Sequence, residues 1–334
     1  MSLDATGLVA LADLATIQQR TVLTGTATLL DALVICPGIH LQQRSTRLNG
    51  GEYPACGALT SGYVFRVENP ATVYYLQQVG MTGHLTNLRV TKPINSNEQE
   101  TEQETWLSYA SSLLIPSFHI PSTPVFAYGA AVLWGTAVIV LLGLAHDWWG
   151  LGVVLTLMFA RLCNIIVIRR REKLGWTGAS EPGVQGDLLV LLSQDRWIRI
   201  KGAVDHLKAV TSGQWLRDQS MLENWSTGLA TLVVYLAAAL VSNATQFGKI
   251  LILALLGGSA ALLAVTNSAT DTLTMHGYKI ELDDEEPRKK YERRLELANA
   301  LIVETGRRDW AVRMGMVNDD GSTEGRAEKG PVVM

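Results

Sequence analysis

The sequence predicts an α-helical membrane protein: four transmembrane helices arranged as two helical hairpins, with a small β-rich cytosolic N-terminal domain and a C-terminal amphipathic helix. Three observations carry that prediction. Four runs of about 20 apolar residues, the length that crosses a bilayer, are nearly free of charge. Short turns join them in pairs. The 28 lysines and arginines collect almost entirely in three segments outside the runs.

The whole chain of 334 residues is 48% hydrophobic and 18% charged, against about 25% charged for a soluble chain. A net charge of -3 excludes a basic nucleic-acid binder and an acidic disordered chain. Three cysteines exclude a disulfide scaffold.

The first run, Val125 to Ala145, carries no charge. The second, Leu151 to Ile168, is interrupted by Arg161 and Asn164 and stops at Arg169, Arg170 and Arg171, a stop-transfer signature. Ser226 to Ser242 and Gly248 to Thr266 form the second pair, with Lys249 near the start of the last run. A soluble amphipathic helix needs a charged face, and these runs have none. The connections, His146 to Gly150 and Asn243 to Phe247, are short enough to make each pair a hairpin.

Residues 1–124, 169–224 and 268–334 hold 6, 9 and 11 of the basic residues. With four spans these segments share one side, and the positive-inside rule makes that side, and both termini, cytosolic. Trp148 and Trp149 at the far turn and Trp225 at the near end suit an aromatic belt. Asp147 and His146, at the far turn, are expected to be solvated.

Residues 1–92 are expected to form the β-rich domain. Thr21–Leu29 and Ile39–Leu48 are rich in strand formers or lead into the turn Asn49-Gly50-Gly51, and Tyr63–Glu68 and Thr72–Val79 flank Asn69-Pro70-Ala71 in a hairpin pattern. The competing reading makes 21–41 a fifth span, against which stand Asp31, Pro37 and four threonines. Residues 93–123 read as a linker, acidic over 95–104 and extended at Ile115-Pro116 and Ile120-Pro121. The hairpins then occupy 124–168 and 225–267.

The loop 169–224 is long enough to fold. Asp187–Leu192 and Arg196–Lys201 predict a β-hairpin around Ser193-Gln194-Asp195, followed by a short helix within Ala203–Leu216. In the tail, 268–317, Asp283-Asp284-Glu285-Glu286-Pro287 predicts a helix start, and Tyr291, Leu295, Ala298 and Ile302 recur at helical spacing up to Gly306. Residues 318–334 are polar and read as disordered.

Chemistry-bearing motifs are missing: there is no His-Glu-x-x-His, Gly-x-Ser-x-Gly, phosphate loop or Cys-x-x-Cys, and no cofactor or metal is implied. His276 with Glu281 is a faint likeness to the His and carboxylate of membrane acyltransferases, whose usual carboxylate is Asp. The sharpest polar candidate is Arg161 with Asn164 three residues on. Arg161 lies eight residues before Arg169, so about 12 Å inside the boundary, where a charge faces a bundle interior or polar cavity. It either binds an anionic group there or is held structurally by helix carbonyls and Asn164. Arg169, Arg170, Arg171, Arg196, Trp197 and Arg199 are candidate membrane-surface contacts, suited to anionic lipid heads.

The stretches GDLLVLLSQDRW (186–197), DHLKAVTSGQWLRD (205–218) and YERRLELANALIVETGRRDWAVRMGM (291–316) resemble segments of a family of multi-pass membrane proteins from filamentous fungi. The likeness covers residues 120–316. It implies a membrane protein with structured cytosolic parts and no assigned activity, and it transfers no functional residue. The expected function is a non-enzymatic scaffold or regulatory subunit presenting a cytosolic module to a protein partner or a second copy. The alternative is an oligomeric channel or transporter for a small anionic solute, using Arg161 and Asn164.

Overall fold

The computed structural model describes residues 6–92 and 122–318. Most of the expected linker 93–123 and of the C-terminal stretch 318–334 lies outside the described residues. In chain order the helices are α1 (Thr6–Ala10), α2 (Thr16–Leu23), α3 (Pro70–Val79), α4 (Ser122–Leu144) and α5 (Trp148–Arg171). They continue with α6 (Val204–Thr211), α7 (Met221–Leu240), α8 (Gln246–Ser268), α9 (Arg294–Thr305) and α10 (Asp309–Arg313). The strands are β1 (Ala55–Ala58), β2 (Val64–Arg66), β3 (His84–Thr91), β4 (Gln185–Leu192), β5 (Arg196–Ala203), β6 (Leu273–Met275), β7 (Tyr278–Leu282) and β8 (Lys289–Lys290).

The chain divides into two compact units, each drawn from three separate stretches. One, from residues 1–46, 95–172 and 216–270, is helical over its described residues. Its helices Thr123–Leu144, Trp148–Arg171, Met221–Asn243 and Gln246–Ser268 are long and apolar enough to cross a membrane. The chief pairings run between the two hairpins, α4 against α8 and α5 against α7. Trp134 of α4 donates its indole N–H to the Ala254 carbonyl of α8 at 3.2 Å. Outward-facing Phe126, Leu133, Phe159, Leu232 and Ile250 are exposed, as helices bathed in lipid require.

Residues 6–46 depart from expectation. In place of strands, Thr21–Leu23 ends helix α2 and 3₁₀ turns cover Leu29–Leu33 and Ile39–Arg47. They pack with the apolar helices, and Ile17, Val34, Ile35, Cys36 and Ile39 join their core. The threonines that read as strand formers instead bond back along the helix, Thr21 Oγ1 to the Ile17 carbonyl at 2.9 Å and Thr24 Oγ1 to the Arg20 carbonyl at 2.8 Å. Among apolar neighbours a backbone must satisfy its own polar groups, which helical turns do and a lone strand cannot. Residues 21–41 do not form a single long helix either, and so are not the fifth span weighed above.

The other unit holds an eight-stranded sheet in the order β2-β1-β4-β5-β3-β7-β6, with β8 also on β3. The pairing β3·β5 is parallel and the others antiparallel. Strands β1–β3, β4–β5 and β6–β8 come from three stretches of chain separated by the apolar helices. The predicted hairpin forms as β4 and β5, in register from Gln185 with Ala203 to Leu192 with Arg196. Its turn places Gln194 and Asp195 at φ of 62° and 52°.

Alternation along β4 and β5 gives the sheet two buried faces. Leu189 and Trp197 pack with Leu297, Leu301 and Trp310 of α9 and α10. Ile198 and Ile200, one residue out of phase, are equally buried on the opposite face, where α6 lies against β3, β4 and β5. Two further expectations fail here. Thr72–Val79 is helix α3, because Asn69 caps it, accepting from Ala71 and Thr72 N–H at 3.1 and 3.3 Å, with Pro70 in the first turn. Helix α9 begins at Arg294 rather than near Asp283. Asp283 is instead bonded by Arg89 at 3.2 Å, and Lys289–Lys290 pairs as β8. Gly306, at φ 68°, ends α9 as expected.

Candidate functional site: a buried polar network

The polar groups of the helical unit form three tiers along its depth. In the middle tier Arg161, 1% exposed, donates from Nε to the Asp31 carbonyl at 3.2 Å and from Nη1 to Gln42 Oε1 at 3.1 Å. A helical arginine points back toward the start of its helix, and here that aims it at the first 46 residues. The Asp31 carboxylate is turned elsewhere. It takes the Thr28 N–H at 2.6 Å and hydroxyl at 3.1 Å in a capping box, and the Tyr128 hydroxyl at 2.8 Å. The Arg20 guanidinium lies 5.1 Å from the centre of the Tyr128 ring.

Toward the arginine-rich end, Asn164 donates to the carbonyls of Ile39 at 3.4 Å and Ala160 at 3.1 Å. Gln43 donates to the Asn164 carbonyl at 3.0 Å and accepts from Arg171 Nη1 at 2.9 Å and from Gln219 at 3.1 Å. Arg171 also donates to the Arg217 carbonyl at 2.8 Å, and Arg217 pairs with Glu223 at 2.5 Å. Burial pushes the carboxyl of Glu172, just past α5, up to about 7 against the opposing pull of a Thr26 hydrogen bond and the Arg169 charge.

At the opposite end Asp147 is buried, not solvated as the sequence suggests. One oxygen accepts the Gly150 N–H at 2.9 Å, capping α5. The other accepts the Thr245 N–H at 2.9 Å and hydroxyl at 2.6 Å, and Thr245 caps α8 through the Gly248 N–H. One carboxylate therefore locks both far turns together. Burial alone would raise its pKa, but these hydrogen bonds outweigh burial and hold it below the usual carboxylate range.

The structure separates the sequence-predicted site residues by role. Arg161 and Asn164 share one buried network, and both bond the chain's own carbonyls and amides. Arg170 is exposed, 3.5 Å from Glu223, and Arg169 is half-buried, whereas Arg171 is buried. In the sheet unit Trp197 and Arg199 are buried and are not membrane-surface contacts. Trp197 is a core residue, and Arg199 bonds Asp187 at 2.6 Å and Glu304 at 2.7 Å. Burial opposes the Arg199 charge, but those two carboxylates more than offset it and raise its pKa. Arg196 is half-buried, donating to the Gln77 and Ser193 carbonyls at 2.9 and 3.0 Å.

Sequence reasoning missed the Asp31 carbonyl and Gln42 as partners of Arg161, Gln43 as a partner of Asn164 and Arg171, and Tyr128 as a partner of Asp31. A usable signal existed: Asp31 is an acid inside an otherwise apolar run, and such a charge asks for a partner. His276 and Glu281 make no pair. His276 sits at φ 50° in the β6–β7 turn, and Glu281 pairs with Lys279 at 2.5 Å. Among the described residues no group of three His, Cys, Asp or Glu is placed to hold a metal. An open cleft of about 460 Å³ in the sheet unit is lined by Tyr53, Arg66, Glu68, Ser212 and Gln214.

No protein-family model, curated protein or solved structure matches the chain. Class therefore rests on the chain itself: four helices long and apolar enough to cross a membrane, compatible with a multi-pass membrane protein, and a mixed α/β architecture overall.

Proposed function

We propose that the protein is a non-enzymatic, multi-pass integral membrane protein, a scaffold or regulatory subunit whose sheet unit is a cytosolic module for a protein partner. The observation that carries this reading is the interleaving of the sheet. Its middle strand β3 bonds β5 from the loop on one side and β7 from the tail on the other. A module built from the stretch before the four apolar helices, the loop between their two pairs and the tail after them has its own core, which suits presenting a fixed surface. The engaged state of Arg161 and Asn164 supports it further, since both spend their hydrogen bonds on the chain itself. The positive-inside count supports a cytosolic side for the basic connections, and exposed Arg170 is suited to anionic lipid heads there.

Affinity purification of the tagged protein in mild detergent tests the reading. A stoichiometric partner lost when the surface of the sheet unit is altered is the expected result. Anion flux through liposomes that disappears in Arg161→Ala would replace the scaffold with an anion channel or transporter.

A further inference from the structure

We propose that residues 173–176, just past α5, and the first turns of α7 form a membrane-surface anchor whose occupant is the headgroup layer of an anionic bilayer. The inference rests on the four apolar helices being membrane-embedded, as proposed above, and it names the lipid class met at their arginine-bearing end.

Exposed apolar side chains gather at two helix ends. Leu174 is exposed and Trp176 is 79% exposed, in a stretch that is neither helix nor strand between Arg171 and Gln185. Of the three tryptophans in the loop 169–224, Trp197 and Trp215 are buried and only Trp176 is not. At the start of α7, Met221, Leu222 and Trp225 are exposed, while the Ser220 capping box holds Glu223 inward. Exposed apolar patches rimmed by polar groups mark membrane or partner contact, and tryptophan at the end of a span favours the bilayer interface.

Both helix ends lie at one level. The Arg217 N–H donates to the Arg171 carbonyl at 3.1 Å, and Arg171 Nε returns a bond to the Arg217 carbonyl at 2.8 Å. Arg170, its side chain largely exposed, is 3.5 Å from Glu223. From Trp148 to Arg171 helix α5 rises about 34 Å. It therefore fills a hydrocarbon core of about 30 Å and ends in the headgroup layer, which brings the bilayer to about 40–45 Å. Fully extended away from the surface, the five residues from Arg171 to Trp176 would span about 17 Å and carry Leu174 and Trp176 into water, where nothing offsets their exposure. Lying along the surface, they stay in that layer. Arg170 and exposed Lys173 supply the positive charge that holds anionic headgroups beside them.

The test places Trp176→Cys in a Cys163→Ala background, Cys36 and Cys56 being buried, in nanodiscs of phosphatidylcholine with phosphatidylserine. A nitroxide on this cysteine is expected to collide more with oxygen and less with a soluble nickel chelate than free nitroxide in buffer does. The same label on Leu133→Cys, exposed at the middle of α4, marks the hydrocarbon and should be shielded further. A benzophenone on Trp176→Cys should cross-link lipid, phosphatidylserine above its share. Lys173→Gln should lower that preference about fivefold, the roughly 1 kcal/mol that one basic residue contributes near an anionic surface. Chelate collisions equal to those of free nitroxide, or cross-links to protein in place of lipid, overturn the anchor, and cross-links without preference for phosphatidylserine overturn its anionic ligand. Release of the protein by alkaline carbonate overturns the membrane reading beneath it instead.

Discussion

Replacing Arg161 with alanine tests whether the buried network is a fastening or a path for solute. The substitution removes the bonds to the Asp31 carbonyl at 3.2 Å and to Gln42 Oε1 at 3.1 Å. A hydrogen bond from a charged donor contributes about 1.5–3 kcal/mol. Relief from burying a guanidinium offsets part of the loss, while two acceptors stranded among apolar groups add to it. The balance is about 3 kcal/mol. It falls on the attachment of the N-terminal segment, because both acceptors belong to that segment and the donor to α5. An energy of that size multiplies a local opening equilibrium about 100-fold. Arg20, 2% exposed on α2, is a built-in reporter, since trypsin cuts there only after the segment lifts. Cleavage after Arg20 in detergent should accelerate about 100-fold in Arg161→Ala. In Arg161→Lys, which keeps the charge but not the fork of donors, it should accelerate about tenfold. Fragment masses read the site of cutting. Equal rates in all three proteins would refute the fastening, and loss of anion flux in the same variants would assign Arg161 to a solute path.

Three further outcomes follow from named contacts. Asp147→Ala should lower thermal stability by about 3 kcal/mol, since it strips the cap of α5 and both bonds from Thr245, and Asp147→Asn by less; because the folded carboxyl is held below its ordinary pKa of about 4, its contribution is present above that pH and fades as pH falls further, so acid melts of wild type and Asp147→Asn should converge. Gly135→Ala places a Cβ 2.2 Å from the Leu33 carbonyl and should cost about 1–3 kcal/mol, whereas Gly143→Ala on the same helix meets nothing within 4 Å and should be neutral or slightly stabilising in the same melt. The Arg199 hydrogen bond holds the Glu304 carboxyl below its ordinary value, so the sheet unit keeps this stabilisation above about pH 4 and loses it as pH falls through the lowered pKa; Glu304→Gln should flatten the acid limb of its stability profile, and an unchanged limb would remove Glu304 from it.

The four apolar helices were legible in the sequence because length and lack of charge are local properties that a bilayer tests directly. So was the β4–β5 hairpin, whose register follows from alternation and a polar three-residue turn. Local signals misled where a residue type serves two structures. Asn69-Pro70 opens helix α3 as readily as it would turn a hairpin, and Asp283, Glu285 and Glu286, which resemble a helix start, answer Arg89 and Lys201 instead. Trp197 and Arg199 looked like surface contacts because nothing within their strand reveals that α9 and α10 cover it.

By itself, then, the sequence determined which residues avoid water and where the basic connections lie. Tertiary structure alone decided that residues 6–46 belong with the apolar helices and that strands from three distant stretches share one sheet. The physical reason is the same in both cases. A buried backbone must find hydrogen-bond partners, and for the start of α2, the 3₁₀ turn Leu29–Leu33 and β3 those partners lie from about 110 to about 250 residues away along the chain, beyond the reach of any local pattern.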